Sequence, residues 1–374
     1  MKPNNPFLVA GYHSPEYFCD RKEESRKISS ALFNGRNVTL MAPRRMGKTG
    51  LIKNVFQTLK EQDSDIITIY LDIFATQNLS DFITAFASAT LGKLDNTSQA
   101  IISRVTQFIK SCRPTFTLDE HSGVPTISID VTPKSEQSTL KEIFDYLASC
   151  EKRCYIAIDE FQQIREYPEN GVEAQLRSYI QFLPNVNFIF SGSKQHLMQD
   201  MFFSAKRPFY LSTEPLSIEH IDKGAYFDFA SHFFTQQGVS FSRDSFNYMY
   251  DKFDGHTWYI QSILNRLYSY ARDVDNNLVD EVIDVIVDEF TYSYEALMSA
   301  YTPNNITLLK AVANEEFVKE ITSSGFISKY KLGAASSISA SLKKLIDKEL
   351  IYKTAAGYIV YDRFMAIWLR RQLF

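Results

Sequence analysis

The densest chemical signal in this 374-residue chain is the stretch Ala42-Pro43-Arg44-Arg45-Met46-Gly47-Lys48-Thr49. A lysine and a hydroxyl residue directly after a glycine suit a polyphosphate. Backbone N–H groups of such a loop, and of the helix it opens, point at anionic oxygen. Lys48 is expected to reach the β- and γ-phosphates and the Thr49 hydroxyl to ligate magnesium. Gly47 is expected to let the main chain approach the phosphates without a Cβ clash. Ala42, Pro43, Arg44, Arg45, Met46 and Gly50 complete the nucleotide-binding candidates. Ala42 departs from the G-x-x-x-x-G-K-[ST] pattern, where the first position is glycine; alanine costs little there if φ is negative. Arg44 and Arg45 lie near the phosphates by sequence, or else pair with acids on the surface.

About 110 residues after Lys48, Tyr155-Ile156-Ala157-Ile158-Asp159-Glu160 is an apolar run ending in two acids. Asp159 would lie at the C-terminal edge of a sheet, where open α/β folds bind ligands, and is assigned to the magnesium shell. Glu160 is placed to polarise the attacking water. A lone Asp-Glu pair would as readily cap a strand-to-helix turn; with the phosphate loop present, the catalytic reading is favoured. Ser193, in Ser191-Gly192-Ser193, either senses the γ-phosphate or helps position water, or it is an N-cap serine in a tight turn. Arg207 has three readings: a phosphate contact in cis, an arginine finger in trans, or a solvated loop charge.

These residues need a scaffold. Four short apolar runs, 37–41, 66–72, 153–159 and 186–191, alternate with helical patterns, and 208–211 reads as a fifth short strand. Alternating strands and helices imply a parallel sheet covered on both faces. The fold class is therefore α/β, a P-loop NTPase core, expected over residues 1–215. Residues 80–112 read as helical. Residues 115–131 interrupt the pattern as two alternating runs around Ser122-Gly123, a β-hairpin insertion decorating the sheet edge. From 218 to 300 helical spacing takes over, at 218–235, 243–253, 257–272 and 278–300, giving a helical lid domain over 216–300. Residues 301–374 read as short helices at 306–312 and 317–323, a longer one at 335–348, and two strands at 350–353 and 358–361. That is the outline of a winged-helix domain.

Net charge is only −4, which argues against a general polyanion binder. Charge is unevenly spread: residues 301–374 carry 11 basic and 6 acidic side chains, a balance of +5. On the helix at 336–348, Lys343, Lys344 and Lys348 spread over an exposed face, opposite a buried stripe of Ile338, Leu342, Leu345 and Ile346. With Lys353 on the wing they are possible DNA contacts. Lysines on an amphipathic helix are also simply a solvated face. The tail aromatics Tyr358, Tyr361, Phe364 and Trp368 read as core. Cys19, Cys112, Cys150 and Cys154 fit neither a disulfide framework nor a zinc site and read as reduced thiols. There is no signal-peptide pattern and no apolar run long enough to span a membrane, so the expected location is cytoplasmic.

The chain also resembles the archaeal-type ATPases, members of the STAND class of P-loop NTPases related to the AAA-type fold. The resemblance runs from Phe18-Cys19-Asp20-Arg21-Lys22-Glu23-Glu24 through the 43–49 loop and Ile158-Asp159-Glu160-Phe161-Gln162. It continues through Ser191-Gly192-Ser193 and closes with Asp362-Arg363-Phe364-Met365-Ala366-Ile367-Trp368-Leu369-Arg370. It implies that Phe18 and Arg21 lie near the adenine and that a G-x-P turn in the lid touches nucleotide. Gly255-His256-Thr257 is the matching place, with Thr257 standing where proline belongs. ATP over GTP rests on this resemblance and on the absence of an N-K-x-D motif. The expected ligands are thus ATP or ADP with Mg2+. The leading expectation is an ATP-hydrolysing switch, slow without a partner, in which nucleotide bridges the core and the lid. The alternatives are a nucleotide-regulated DNA-binding protein and an ADP-holding protein-interaction scaffold with negligible turnover. A protein partner or self-association fits any of the three.

Overall fold

The computed structural model describes residues 2–95, 97–118, 125–315, 317–354 and 356–372. They form two compact units, one of residues 2–3 and 8–226 and one of residues 4–7 and 227–372.

The first unit runs α1 (Lys22–Phe33), β1 (Val38–Met41), α2 (Lys48–Gln62), β2 (Ile67–Asp72), α3 (Leu79–Thr90), α4 (Ser98–Phe108), β3 (Pro114–Leu118), β4 (Pro125–Ile129), α5 (Glu136–Ala148), β5 (Cys154–Asp159), α6 (Val172–Ile180), β6 (Val186–Gly192), α7 (Gln195–Phe203) and β7 (Glu214–Ser217). The central sheet has the order β2-β5-β6-β1-β7 and every pairing in it is parallel. Successive side chains on a strand point to opposite faces, and this alternation divides the core in two. Ile156 and Ile158 of β5, with Phe188 and Phe190 of β6, pack on the face covered by α3, α5 and α7. Tyr155, Ala157 and Ile189 pack on the other face, against Leu51, Ile52 and Val55 of α2.

Two expectations change, the fifth strand and the place of the hairpin. The fifth strand is β7, not 208–211. Phe209 is an apolar residue of a turn, buried against Phe161, Phe190 and Phe202, and Leu211 has φ 50°. The actual strand carries Pro215 and only one buried side chain, Leu216, so it shows no alternation. Its place at the sheet edge tolerates the missing proline N–H. The helical stretches read within 80–112 are α3 and α4, capped by Asn78 and Thr97. The hairpin β3–β4 is a separate two-stranded sheet and not an extension of the central one. Ile127 and Ile129 of β4 join the core beside Phe82 and Phe86 of α3. The Ser122-Gly123 turn lies outside the described residues.

The second unit contains α8 (Lys223–Gln237, entering from the first), α9 (Arg243–Lys252), α10 (Thr257–Tyr270), α11 (Asn276–Ser299), α12 (Pro303–Ala313), α13 (Ser324–Lys329), α14 (Ala335–Asp347), β8 (Ile351–Lys353), β9 (Tyr358–Val360) and α15 (Arg363–Arg371). The helical region and the winged-helix region share this unit. The N-terminal segment is pinned to it: Phe7 is fully buried against Phe229, Phe233, Phe234 and Tyr268. Asn265 Nδ2 donates to the Phe7 carbonyl at 2.7 Å.

No helix spans 317–323. Val318 instead makes a two-way backbone bridge to Tyr358 at 2.9 and 2.8 Å, and the Ser323 side chain caps the later helix α13. Gly357 allows that bridge, since a Cβ there would stand 2.6 Å from the Val318 carbonyl oxygen. Ile346 is 38% exposed and so leaves the stripe formed by Ile338 and Leu345. The tail is a helix, α15. Its cap Asp362 accepts from the Phe364 and Met365 N–H groups, and Phe364 and Trp368 are buried in the core. No helix among the described residues is long and apolar enough to cross a membrane.

Candidate nucleotide site

The site stands where β1, β5 and β6 end at the carboxyl edge of the sheet. The loop after β1 turns through Arg45 at φ 63° and Gly47 at φ 93° before α2 begins at Lys48. Left-handed residues in a loop of this kind make a concave backbone suited to anions. Space does not explain Gly47, because a Cβ there would meet nothing within 4 Å. Its positive φ does. Ala42 is fully buried and its φ is not positive, so alanine is unstrained at the position where the general pattern has glycine.

Lys48 is only 6% exposed. Its ammonium donates to the carbonyls of Ala42 and Pro43 at 3.0 and 3.2 Å. Burial lowers its pKa, opposed by the charges of Glu160 and Asp159. An uncompensated buried charge is costly, so this lysine belongs with anionic neighbours.

The alternation of β5 decides where Asp159 goes. It shares the face of Tyr155 and Ala157, which is the α2 side of the sheet. There the Thr49 hydroxyl donates to Asp159 Oδ2 at 2.8 Å, across 110 residues of sequence. Tyr70 of β2 packs on the same face, and its hydroxyl donates to the same oxygen, also at 2.8 Å. Burial raises the Tyr70 pKa, with the Asp159 charge adding to it. Asp159 is 4% exposed. Among the described residues no group of three or more His, Cys, Asp or Glu side chains could cage a metal. A hydroxyl and a single carboxylate nevertheless fit magnesium, which usually takes one or two carboxylates and completes its shell with phosphate oxygens and water.

Glu160 has φ 55°, turning the chain sharply out of β5. Its side chain does not cap the 3-10 helix that follows. Instead Oε2 accepts from Ser193 Oγ at 2.7 Å and from Gln162 Nε2. Ser193 therefore serves Glu160 and is not the N-cap of α7, a position that Lys194 holds.

The remaining candidates are more scattered. Arg21 is 4% exposed and adopts φ 63°. It donates to Glu24, to the Glu219 carbonyl and to the Met46 carbonyl, bracing the phosphate loop. The Phe18 ring closes on α2, where a Cβ on Gly50 would stand 3.3 Å away. Arg44 lies 5.9 Å from the centre of the exposed Phe74 ring, and Arg45 is exposed. Arg207 pairs with Asp200 at 2.5 Å and lies 3.6 Å from Glu173, with Arg165 sharing Asp200. Gly255, in the second unit, lies three residues beyond α9 at φ 65°, and a Cβ there would fall 2.4 Å from the Tyr250 ring. Lys343, Lys344, Lys348 and Lys353 are all exposed; Lys344 lies over the Tyr301 ring and Lys353 over that of Tyr358. Sequence reasoning missed Tyr70 and Gln162. The signal for Tyr70 was a polar-tipped residue on the inward face, two before the end of a strand.

The sequence family described as "ATPase domain predominantly from Archaea" matches residues 18–263, a span holding every element of this site. The chain belongs to that ATPase family. Residues 292–371 match the family described as "Probable winged helix domain". Among solved structures, the Walker-type ATPase of Pyrococcus abyssi aligns over 98% of this chain and 99% of its own, with TM-score 0.67 and 18% identity. The Aeropyrum pernix ORC1 protein, solved in complex with DNA, aligns over 98% of this chain and 96% of its own, with TM-score 0.55 and 11% identity. At such identities the likeness is one of fold. A search of curated proteins found no match. The α/β P-loop fold with a C-terminal winged helix is thus reached both from the residues and from the comparisons.

Proposed function

We propose that this chain is a magnesium-dependent ATPase that works as a nucleotide-driven switch. The observation that carries the reading is the hydrogen bond from Thr49 to Asp159, which joins the phosphate loop to the acidic strand end. Lys48 and the backbone N–H groups of the loop grip the β- and γ-phosphates. Thr49 and Asp159 are the residues that would hold magnesium, which would neutralise charge on the phosphate oxygens. Glu160 orients the water that attacks the γ-phosphorus, and the bond to the β–γ bridging oxygen breaks to give ADP and phosphate. In this reading Phe18, whose ring lies against the start of α2, lines the adenine. Arg21 acts by bracing the loop. In switch NTPases, loss of the γ-phosphate releases the segments that it ordered. In this reading Ser193 and Glu160, joined by their hydrogen bond, are the groups that sense it.

The test is ATP hydrolysis with and without magnesium, beside Lys48→Ala and Glu160→Gln, with nucleotide binding measured separately. The reading predicts that Lys48→Ala loses binding and that Glu160→Gln binds without turning over. Wild-type turnover no faster than Glu160→Gln would leave a nucleotide-holding scaffold and remove the enzyme.

A second reading, nucleotide-regulated DNA binding, is favoured by the exposed lysines on α14 and β8. Phosphate contacts make affinity fall with salt. Anisotropy of a labelled duplex at two salt concentrations tests it, and an affinity that does not depend on salt removes it.

A further inference from the structure

Gln162 is buried, at 3% exposure, and the mechanism above leaves it unused. Its Nε2 donates to Glu160 Oε2, the oxygen that also accepts from Ser193. Its Oε1 is buried with no hydrogen-bond partner among the described residues. The amide fits only because position 192 lacks a side chain: a Cβ there would stand 2.4 Å from Gln162 Oε1 and 2.6 Å from Met198. The Ser191-Gly192-Ser193 turn thus contributes twice, with a seat for the amide and a hydroxyl for the carboxylate.

Burying a primary amide with an unmade acceptor is unfavourable, and an apolar side chain of similar length would fill the same place without that cost. Stability therefore does not account for a glutamine here. What the glutamine supplies is a second donor to one oxygen of Glu160. Glu160 lies on a half-buried, left-handed turn, near the charges of Lys48, Asp159 and Asp72. Its carboxylate would otherwise have several rotamers open to it. Two donors on Oε2 select one, and Oε1 carries no hydrogen bond among the described residues.

We propose that Gln162 is a positioning residue that, with Ser193, clamps Glu160 Oε2 so that Oε1 is the atom presented to the attacking water. This rests on the reading of Glu160 as the water-orienting group. Alignment of a catalytic group contributes through the rate of the chemical step and not through nucleotide affinity.

The experiment compares the full-length wild type, Gln162→Met, Glu160→Gln and the double variant for kcat, KM for ATP, nucleotide affinity and melting temperature. In Gln162→Met, kcat should fall roughly tenfold, with affinity and KM changed less than about twofold. Its melting temperature should hold or rise. The double variant should turn over no more slowly than Glu160→Gln alone, because the clamp acts only through Glu160. Gly192→Ala, which displaces the amide, should reproduce the kcat loss and decides the matter if Gln162→Met does not fold. Wild-type kcat in the folded variant, or an equal loss with and without the Glu160 carboxylate, overturns the clamp alone. Wild-type turnover no faster than Glu160→Gln overturns the water-orienting reading and the clamp with it.

Discussion

The carboxyl edge of the sheet and the outer face of α14 both gather charge, and they treat it in opposite ways. Lys48 and Asp159 are 6% and 4% exposed, and each has named hydrogen-bond partners. Lys343, Lys344 and Lys348 stand in solvent. Withdrawing a charge from water costs several kcal/mol unless other groups compensate. A fold therefore keeps charges buried together only where their mutual geometry is held. A solvated lysine costs almost nothing and places no demand on its neighbours. The first cluster thus argues for chemistry from its geometry alone, whereas the second waits for a partner to give it meaning.

The largest effects should come from the buried cluster. Lys48→Ala removes the ammonium that binds the Ala42 and Pro43 carbonyls of the loop, and nucleotide affinity should fall by about 100-fold, given that each charged hydrogen bond contributes about 1.5–3 kcal/mol. Isothermal titration with ATP and ADP reads it directly. If affinity is retained, the parallel between burial and function breaks at its strongest point. Tyr70→Phe should come next. It deletes one of two donors on Asp159 Oδ2, and loss of such an outer partner typically weakens metal binding by roughly tenfold or more. A magnesium titration of turnover, repeated with manganese, should move its midpoint by about that factor while saturated turnover holds.

On α14 the contrast should appear within a single helix. Leu345→Ala, at a fully buried position, should destabilise the chain by about 2–5 kcal/mol. Lys343→Ser, two residues earlier and exposed, should stay within about 0.5 kcal/mol in the same denaturant melt. If duplex binding is present, replacing Lys343, Lys344 and Lys348 together should flatten the plot of log affinity against log salt by up to roughly 3. An unchanged slope would leave them as a solvated face.

The same contrast explains what could be read from the sequence. Buried chemistry leaves narrow signatures: Gly47-Lys48-Thr49 and Asp159-Glu160 each follow an apolar run, so their place at the sheet edge was legible. The strand-and-helix alternation was legible for the same reason. What escaped depended on contacts between distant segments. β7 carries Pro215 and one buried residue, so nothing local marks it as a strand, and only its pairing with β1 makes it one. Val318 looked helical because its bridge to Tyr358 closes across 40 residues. Tyr70 reads locally as strand filler; its role follows from the register that sets Asp72 beside Asp159 and brings the Tyr70 ring over α2. The Gln162 amide needed the absent side chain of Gly192 to find its seat.

The smallest effect asked of the site concerns Ala42, where the general loop pattern has glycine. One reason for glycine would be a left-handed backbone, and that does not hold here. Ala42 has no positive φ, it is fully buried, and its carbonyl already accepts from Lys48 at 3.0 Å. Ala42→Gly should therefore leave ATP affinity within about twofold. It should lower stability by about 0.4–1 kcal/mol, because glycine frees the unfolded chain where alanine had restricted it. A paired thermal melt and nucleotide titration separates the two effects. If affinity instead rose tenfold, the alanine Cβ would be shown to obstruct the phosphates, and this loop would be a deliberately weakened version of the pattern rather than an equivalent one.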